Sequence, residues 1–216
     1  MNDFIKSFVK RGRGLSSKDR EILENYLPQY KIDQDILSNL DTSRSINFEI
    51  GFGSGEFINS IAQKNPEQIF IGCEPYTTGV VKLLKNIKKN NIENIYIFND
   101  DARILLQEMP ENFLSRAFIL FPDPWPKARH HKRRVINQAL LNLLEEKMQK
   151  GSKLLIATDH SDYREWILEE LESHPSFTQN SEEAWKEESE AYVETSYHRK
   201  ARNKNISSSF MSFTLT

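Results

Sequence analysis

Hydrophobic residues in this 216-residue chain fall into short runs separated by longer stretches with helical spacing. Residues 45–50, 69–73, 94–98, 116–121 and 153–158 are apolar runs of strand length. Between them, 56–65 carries Phe57, Ile58, Ile61 and Ala62 on one helical face, and 77–91 carries Val80, Leu84 and Ile87. A short helix is expected over 102–109. A longer one from about 132 to 149 has Val135, Ile136, Ala139, Leu140, Leu143 and Leu144 in two apolar columns, with Gly151 ending it. Another helix is expected over 163–172. Ser16 and Ser17 can cap a helix running to about Leu27, with Pro28 as its stop. Beyond residue 174 the pattern weakens. Glu182, Glu183, Glu187, Glu188 and Glu190 around Lys186 predict a solvated helix, and residues 206–215 alternate as a final antiparallel edge strand.

Strands alternating with helices predict an α/β fold, with a mostly parallel sheet, helices on both faces and right-handed crossovers. One core suffices for this length, so residues 1–216 read as a single domain, with 1–40 a basic N-terminal extension and helix. No apolar run approaches the ~20 residues that span a bilayer. The first residues lack the apolar block of a secretory signal. The lone Cys73 lies in an apolar run, and no Cys and His spacing suits a metal. A soluble cytoplasmic protein without a metal is expected.

The charge distribution changes the picture more than its sum. The net charge of −2 argues against a polyanionic partner. Yet residues 1–20 hold six Lys/Arg against two Asp, and 127–134 hold five with no acid. Such segregation can present a basic patch on a mildly acidic protein. The acids are ordered too. Glu49, Glu74, Asp101, Asp123 and Asp159 each fall at or just past the end of a predicted strand, where ligands of such sheets bind. Converging carboxylates repel an anionic ligand and suit one rich in hydroxyls, amines and positive charge.

The loop from Glu49 to Glu56 contains Gly51, Gly53 and Gly55 and joins a strand to a helix. Glycines there allow a tight turn and close approach of backbone to ligand. A dinucleotide loop needs a third glycine where Glu56 stands. Acids at both ends of the loop disfavour a pyrophosphate and favour S-adenosylmethionine, whose amino group and sulfonium are cationic. Glu74 is placed to accept hydrogen bonds from both ribose hydroxyls, and Asp101-Ala102 to reach the adenine amino group. The most distinctive segment is Phe121-Pro122-Asp123-Pro124-Trp125-Pro126-Lys127-Ala128-Arg129-His130-His131-Lys132-Arg133-Arg134. Its prolines stiffen the backbone around Asp123 and Trp125. A rigid acid beside an aromatic ring and a cationic block suits a planar base attached to phosphates; Trp125 either stacks on that base or packs within the protein.

These elements resemble the class I S-adenosylmethionine-dependent methyltransferases. With the segment 122–134 added, the chain resembles one family among them, the bacterial tRNA (guanine-N7)-methyltransferases, over nearly its full length. The resemblance implies a Rossmann-like, seven-stranded sheet with an antiparallel last strand. It implies methyl transfer from S-adenosylmethionine to N7 of a guanine in the tRNA variable loop, leaving S-adenosylhomocysteine. The alternative is a class I methyltransferase acting on another RNA, a protein or a small molecule. Cofactor contacts are implied for Glu49, Gly51, Gly53, Gly55, Glu74, Asp101, Ala102 and Asp123, with Asp123 also catalytic. Substrate contacts are implied for Lys127, Asp159, Thr195, Ser196 and Tyr197; a Glu normally follows the last of these, and here His198 stands instead. Lys10, Arg11, Arg13, Arg129, Lys132, Arg133 and Arg134 read as phosphate contacts. The expected partner is tRNA, with no membrane and no metal, and with monomer and homodimer both open.

Overall fold

A computed structural model describes residues 4–8, 14–181, 185, 194–203 and 205–216. Its strands are β1 Ile46–Ile50, β2 Ile69–Cys73, β3 Ile95–Phe98, β4 Leu114–Leu120, β5 Met148–Thr158, β6 Phe177–Gln179 and β7 Ser209–Leu215. They form one sheet in the order β3-β2-β1-β4-β5-β7-β6. The pairs among β1 to β5 are parallel, and β7 runs antiparallel to both β5 and β6. Helices α2 Gln34–Asn39, α5 Ala102–Glu108, α6 Gln138–Lys147 and α7 Ser161–Glu172 cover one face. Helices α1 Ser17–Tyr30, α3 Glu56–Lys64 and α4 Thr77–Asn90 cover the other, and α8 Ser196–Asn203 precedes β7. Both faces are apolar, so β1 and β2 are buried along their whole length and read as continuous runs rather than alternations. This is a Rossmann-like sandwich. Its strand order reverses at β1, which opens a crevice at the carboxyl ends of β1 and β4.

Several expectations change. The strand over 206–215 is not an edge: β6 pairs with it, and three residues of Phe-Thr-Gln are too short to show a period. Pro28 does not stop α1, which continues to Tyr30. The carbonyl that loses its partner belongs to Glu24, and both residues are exposed, so water can satisfy it. The helix expected from 132 begins only at Gln138, where Asn137 caps it by accepting from the Leu140 N–H at 3.1 Å. Residues 128–133 form a separate 3₁₀ turn. Gly151 lies inside β5 rather than at a helix end, at φ +80° where the register against β4 slips. The expected helix around Glu182, Glu183, Lys186, Glu187, Glu188 and Glu190 lies outside the described residues; Trp185 between them is buried against Phe210. No helix among the described residues is long and apolar enough to cross a membrane.

Candidate active site

A cleft partly open to solvent lies at the carboxyl ends of β1 to β4. Gly51, Gly53, Glu74, Asp101, Ala102 and Asp123 all line it. Chain topology explains the convergence, because each of these residues follows a parallel strand directly. Gly51, Gly53 and Gly55 all take positive φ, a region that costs a Cβ-bearing residue steric strain. The Gly51 N–H bonds the Cys73 carbonyl at 2.8 Å, closing the loop over β2. Glu74 straps the loop from the other side. Its Oε2 accepts from the Gly53 N–H at 2.7 Å and its Oε1 from the Tyr76 N–H at 2.8 Å. Each oxygen keeps a further lone pair for a ligand hydroxyl.

The other expected cofactor residues sit differently. Glu49 does not line the cleft. In register with Gly72 and Phe118 it faces α3 beneath the glycine loop, and its Oε2 has no hydrogen-bond partner. Gly55 begins α3 and packs on α4, so that an added Cβ would lie 2.8 Å from the Leu83 side chain. Asp101 caps α5 through the Arg103 N–H and also holds the Arg103 guanidinium, at 2.9 Å from Nε and 2.6 Å from Nη2. That carboxylate is therefore already neutralised, in addition to bordering the cleft.

Burial dominates the electrostatics. It raises the Glu49 carboxyl to about 8, with the negative charges of Glu74 and Glu56 adding to the rise. Burial likewise raises Glu74 to about 7, against the two backbone N–H bonds that favour its charged form. Asp123 is exposed at the cleft mouth, yet enough wall surrounds it that desolvation raises its pKa as well. Two of these carboxyls, Glu74 and Asp123, line the cleft, and an arriving cation would stabilise their charged forms.

The loop carrying Asp123 is strained and braced. Phe121 and Trp125 take φ of +53° and +46°, conformations that cost non-glycine residues about 1 kcal/mol or more and persist only when neighbours enforce them. The Trp125 indole donates to the Ser7 carbonyl at 3.0 Å, carries the Arg133 guanidinium 5.0 Å from its ring centre and meets His130 edge-on. Of the two roles open to Trp125, this is the packing one. Ser7 and Phe8 close the cleft from above, and Arg103 ties the same segment down through the Ile5 carbonyl at 3.0 Å. Phe4, Ile5 and Phe8 interrupt the basic N-terminal segment, and that interruption is the sequence signal for this cover. Asp100, Tyr76 and Val135 also line the cleft, at positions the strand-end pattern alone does not mark.

None of the expected substrate residues whose side chains are described lines the cleft. Lys127 is exposed on the Asp123 loop, and Asp159 follows β5, the neighbour of β4. Thr195 is buried and its Oγ1 accepts the His198 N–H at 3.2 Å, so residues 195–198 start α8. The His198 ring stacks on Phe121, a residue of the cleft wall, at 5.6 Å between centres. The Tyr197 side chain and all of Lys10, Arg11 and Arg13 lie outside what is described. Arg129 and Lys132 are exposed as expected for phosphate contacts, and Arg133 partly so. Arg134 is not: its side chain is 1% exposed and turned inward. No group of His, Cys, Asp and Glu that could hold a metal occurs among the described residues.

The chain is similar to known proteins in sequence and in fold. A family profile described as "Putative methyltransferase" matches residues 43–210. A tRNA (guanine-N(7)-)-methyltransferase of Wolbachia pipientis wMel is 42% identical over 198 residues, covering 92% of this chain and 86% of the relative. One from Zymomonas mobilis subsp. mobilis is 39% identical, covering 90% and 87%. Among solved structures, an antibiotic-related methyltransferase superposes with a TM-score of 0.57 at 20% identity, over 85% of this chain and 94% of that one. That likeness supports the class I methyltransferase fold.

Proposed function

We infer that this chain, which belongs to the tRNA (guanine-N(7)-)-methyltransferase family, methylates N7 of a guanine in the variable loop of tRNA. The observation that carries the reading is the meeting, in one cleft, of the glycine loop, Glu74, Asp101-Ala102 and Asp123, beside a rim bearing Lys127, Arg129 and Lys132. S-adenosylmethionine would supply the electrophilic methyl group. The lining suits that donor. No atom lies within 4 Å of where a Gly51 Cβ would sit, so the turn leaves bare backbone facing the cleft. Glu74, which lines the cleft and holds its proton more tightly than an ordinary carboxyl, favours a ligand bearing positive charge. Glu74 offers its remaining lone pairs to ribose hydroxyls. Asp101 and Ala102 border the adenine end, where Asp101 acts as the Arg103-paired cap that shapes the wall.

Guanine N7 has an in-plane lone pair and no proton, so the protein needs no general base to create the nucleophile. Orientation is the larger lever, with aligned reactants worth up to ~7–11 kcal/mol. Asp123 is the group to supply it. Its carboxylate can accept from the N1–H and N2–H edge of guanine, fix the plane of the base and stabilise the positive charge that methylation leaves on the purine. Lys127 and the exposed cations hold the RNA backbone, and Asp159 with residues 195–197 completes the rim.

The test is single-turnover transfer of labelled methyl groups to an unmodified tRNA, followed by mapping of the modified nucleotide. Asp123→Asn should slow transfer at least 100-fold while S-adenosylmethionine affinity changes by less than about fivefold. Label at any position other than a guanine N7, or label on protein alone, would overturn the reading; full-rate transfer by the variant would remove Asp123 from the mechanism.

A further inference from the structure

Arg134 ends a run of cations, yet it is one of the largest fully buried side chains in the protein. Its Nε donates to the Pro124 carbonyl at 3.0 Å, one residue beyond Asp123. Its Nη2 donates to Asp162 Oδ2, and the guanidinium lies 4.9 Å from the Tyr163 ring centre and 5.1 Å from that of Trp166. All three partners belong to the first two turns of α7. The same helix grips the chain just past Arg134. The Trp166 indole donates to the Ile136 carbonyl at 2.8 Å, and the Tyr163 hydroxyl accepts the Ile136 N–H at 3.3 Å.

A buried guanidinium is costly unless its charge and donors are matched. Here the match is divided between an acid on α7 and one backbone oxygen of the Asp123 loop. That loop also holds two non-glycine residues at positive φ, on either side of Asp123. Without a fixed partner for the Pro124 carbonyl, the backbone can relax out of that shape and carry the carboxylate with it. We propose that Arg134 is a positioning residue for methyl transfer, transmitting the rigidity of α7 through Pro124 to Asp123. This rests on the function proposed above. A lysine cannot replace it, since one ammonium lacks the planar fork that reaches Asp162 and Pro124 while stacking between two rings.

The experiment measures single-turnover transfer rate, tRNA KM and S-adenosylmethionine affinity for the wild type, Arg134→Lys and Asp162→Asn. Absence of transfer by the wild type would sink the functional reading itself. With an active wild type, Arg134→Lys should lose 30-fold or more in rate while KM and donor affinity stay within threefold. Lys132→Ala, on the exposed side of the same segment, should show the opposite split and raise KM. Should Arg134→Lys melt below assay temperature, Asp162→Asn decides, because Asp162 is about half exposed and its carboxamide keeps the volume. Its rate should fall three- to tenfold at unchanged KM; where Arg134→Lys does stay folded, the double variant should lose less than the two single losses combined. Full rate in the folded variant, or a loss confined to tRNA or donor binding, would overturn the positioning role.

Discussion

Glu49 and Glu74 show how one kind of side chain serves stability and binding in opposite ways. Both are nearly inaccessible, at 4% and 3% exposure, and both hold their protons to about pH 8 and 7 respectively. An unfolded glutamate titrates near 4.5, so between about pH 4.5 and 8 the folded state binds more protons than the unfolded one. Stability therefore falls as pH rises through that window. A tenfold tighter hold on a proton corresponds to about 1.4 kcal/mol, and a chain of this size moves about 2–4 °C per kcal/mol. The ligand-free protein should lose on the order of 8–16 °C in Tm between pH 6 and 8.5. Saturation with S-adenosylmethionine should make that loss smaller, because a bound cation stabilises the ionised carboxyls. Scanning calorimetry at the two pH values checks both statements. A ligand-free Tm independent of pH would mean that these carboxyls are solvated.

Between elements, the glycine loop depends on how closely α4 can approach it. A Cβ on Gly79 would lie 2.1 Å from the Gly53 carbonyl oxygen and 3.1 Å from the Glu74 side chain. Both neighbours belong to the strap that shapes the cleft, and a backbone carbonyl cannot swing aside as a side-chain tip can. Gly79→Ala should cost about 2–3 kcal/mol or more and weaken donor binding with it. Gly14→Ala, with nothing within 4 Å of the added methyl, should stay within about 0.5 kcal/mol. Urea unfolding of the two variants makes the comparison. The elements that depend on local pattern are legible in the chain itself. β1 to β5 show because burial on both faces writes continuous apolar runs, and the ends of those runs locate Glu74, Asp101 and Asp123. Less visible is anything set by tertiary partners. Nothing in the cationic block distinguishes Arg134 from Arg133, because only the rings of α7 decide which one faces inward. The pairing of Asp101 with Arg103 is hidden for the same reason: a carboxylate at a strand end looks equally available whether or not a guanidinium occupies it. β6 has too few residues for a period, and β7 therefore reads as an edge.

At the scale of the whole molecule, a net charge near zero conceals two opposed fields. Acids line the cleft, which suits a small cation, while Lys127, Arg129, Lys132 and the partly exposed Arg133 stand on its rim. Arg199 and Arg202 of α8 are exposed too, but each is paired with Glu194 and is left out of the count. The two ligands should consequently respond to salt in different ways. Phosphate contacts release counterions, and each contributes roughly −0.7 to −0.9 to the slope of log K against log salt. Four rim cations thus predict a slope of about −3 to −4 for tRNA, an association weakened on the order of 100-fold when salt rises fourfold. Donor binding in the cleft involves no polyanion and should move by less than about threefold over the same range. Charge reversal at Lys127 and Lys132 together should reduce the tRNA slope by about two contacts' worth while leaving donor affinity in place. Fluorescence anisotropy with labelled tRNA, run beside calorimetry with the donor, measures both. A tRNA slope near zero would place the RNA on some other surface, and equal slopes for the two ligands would mean that cleft and rim are not electrostatically distinct.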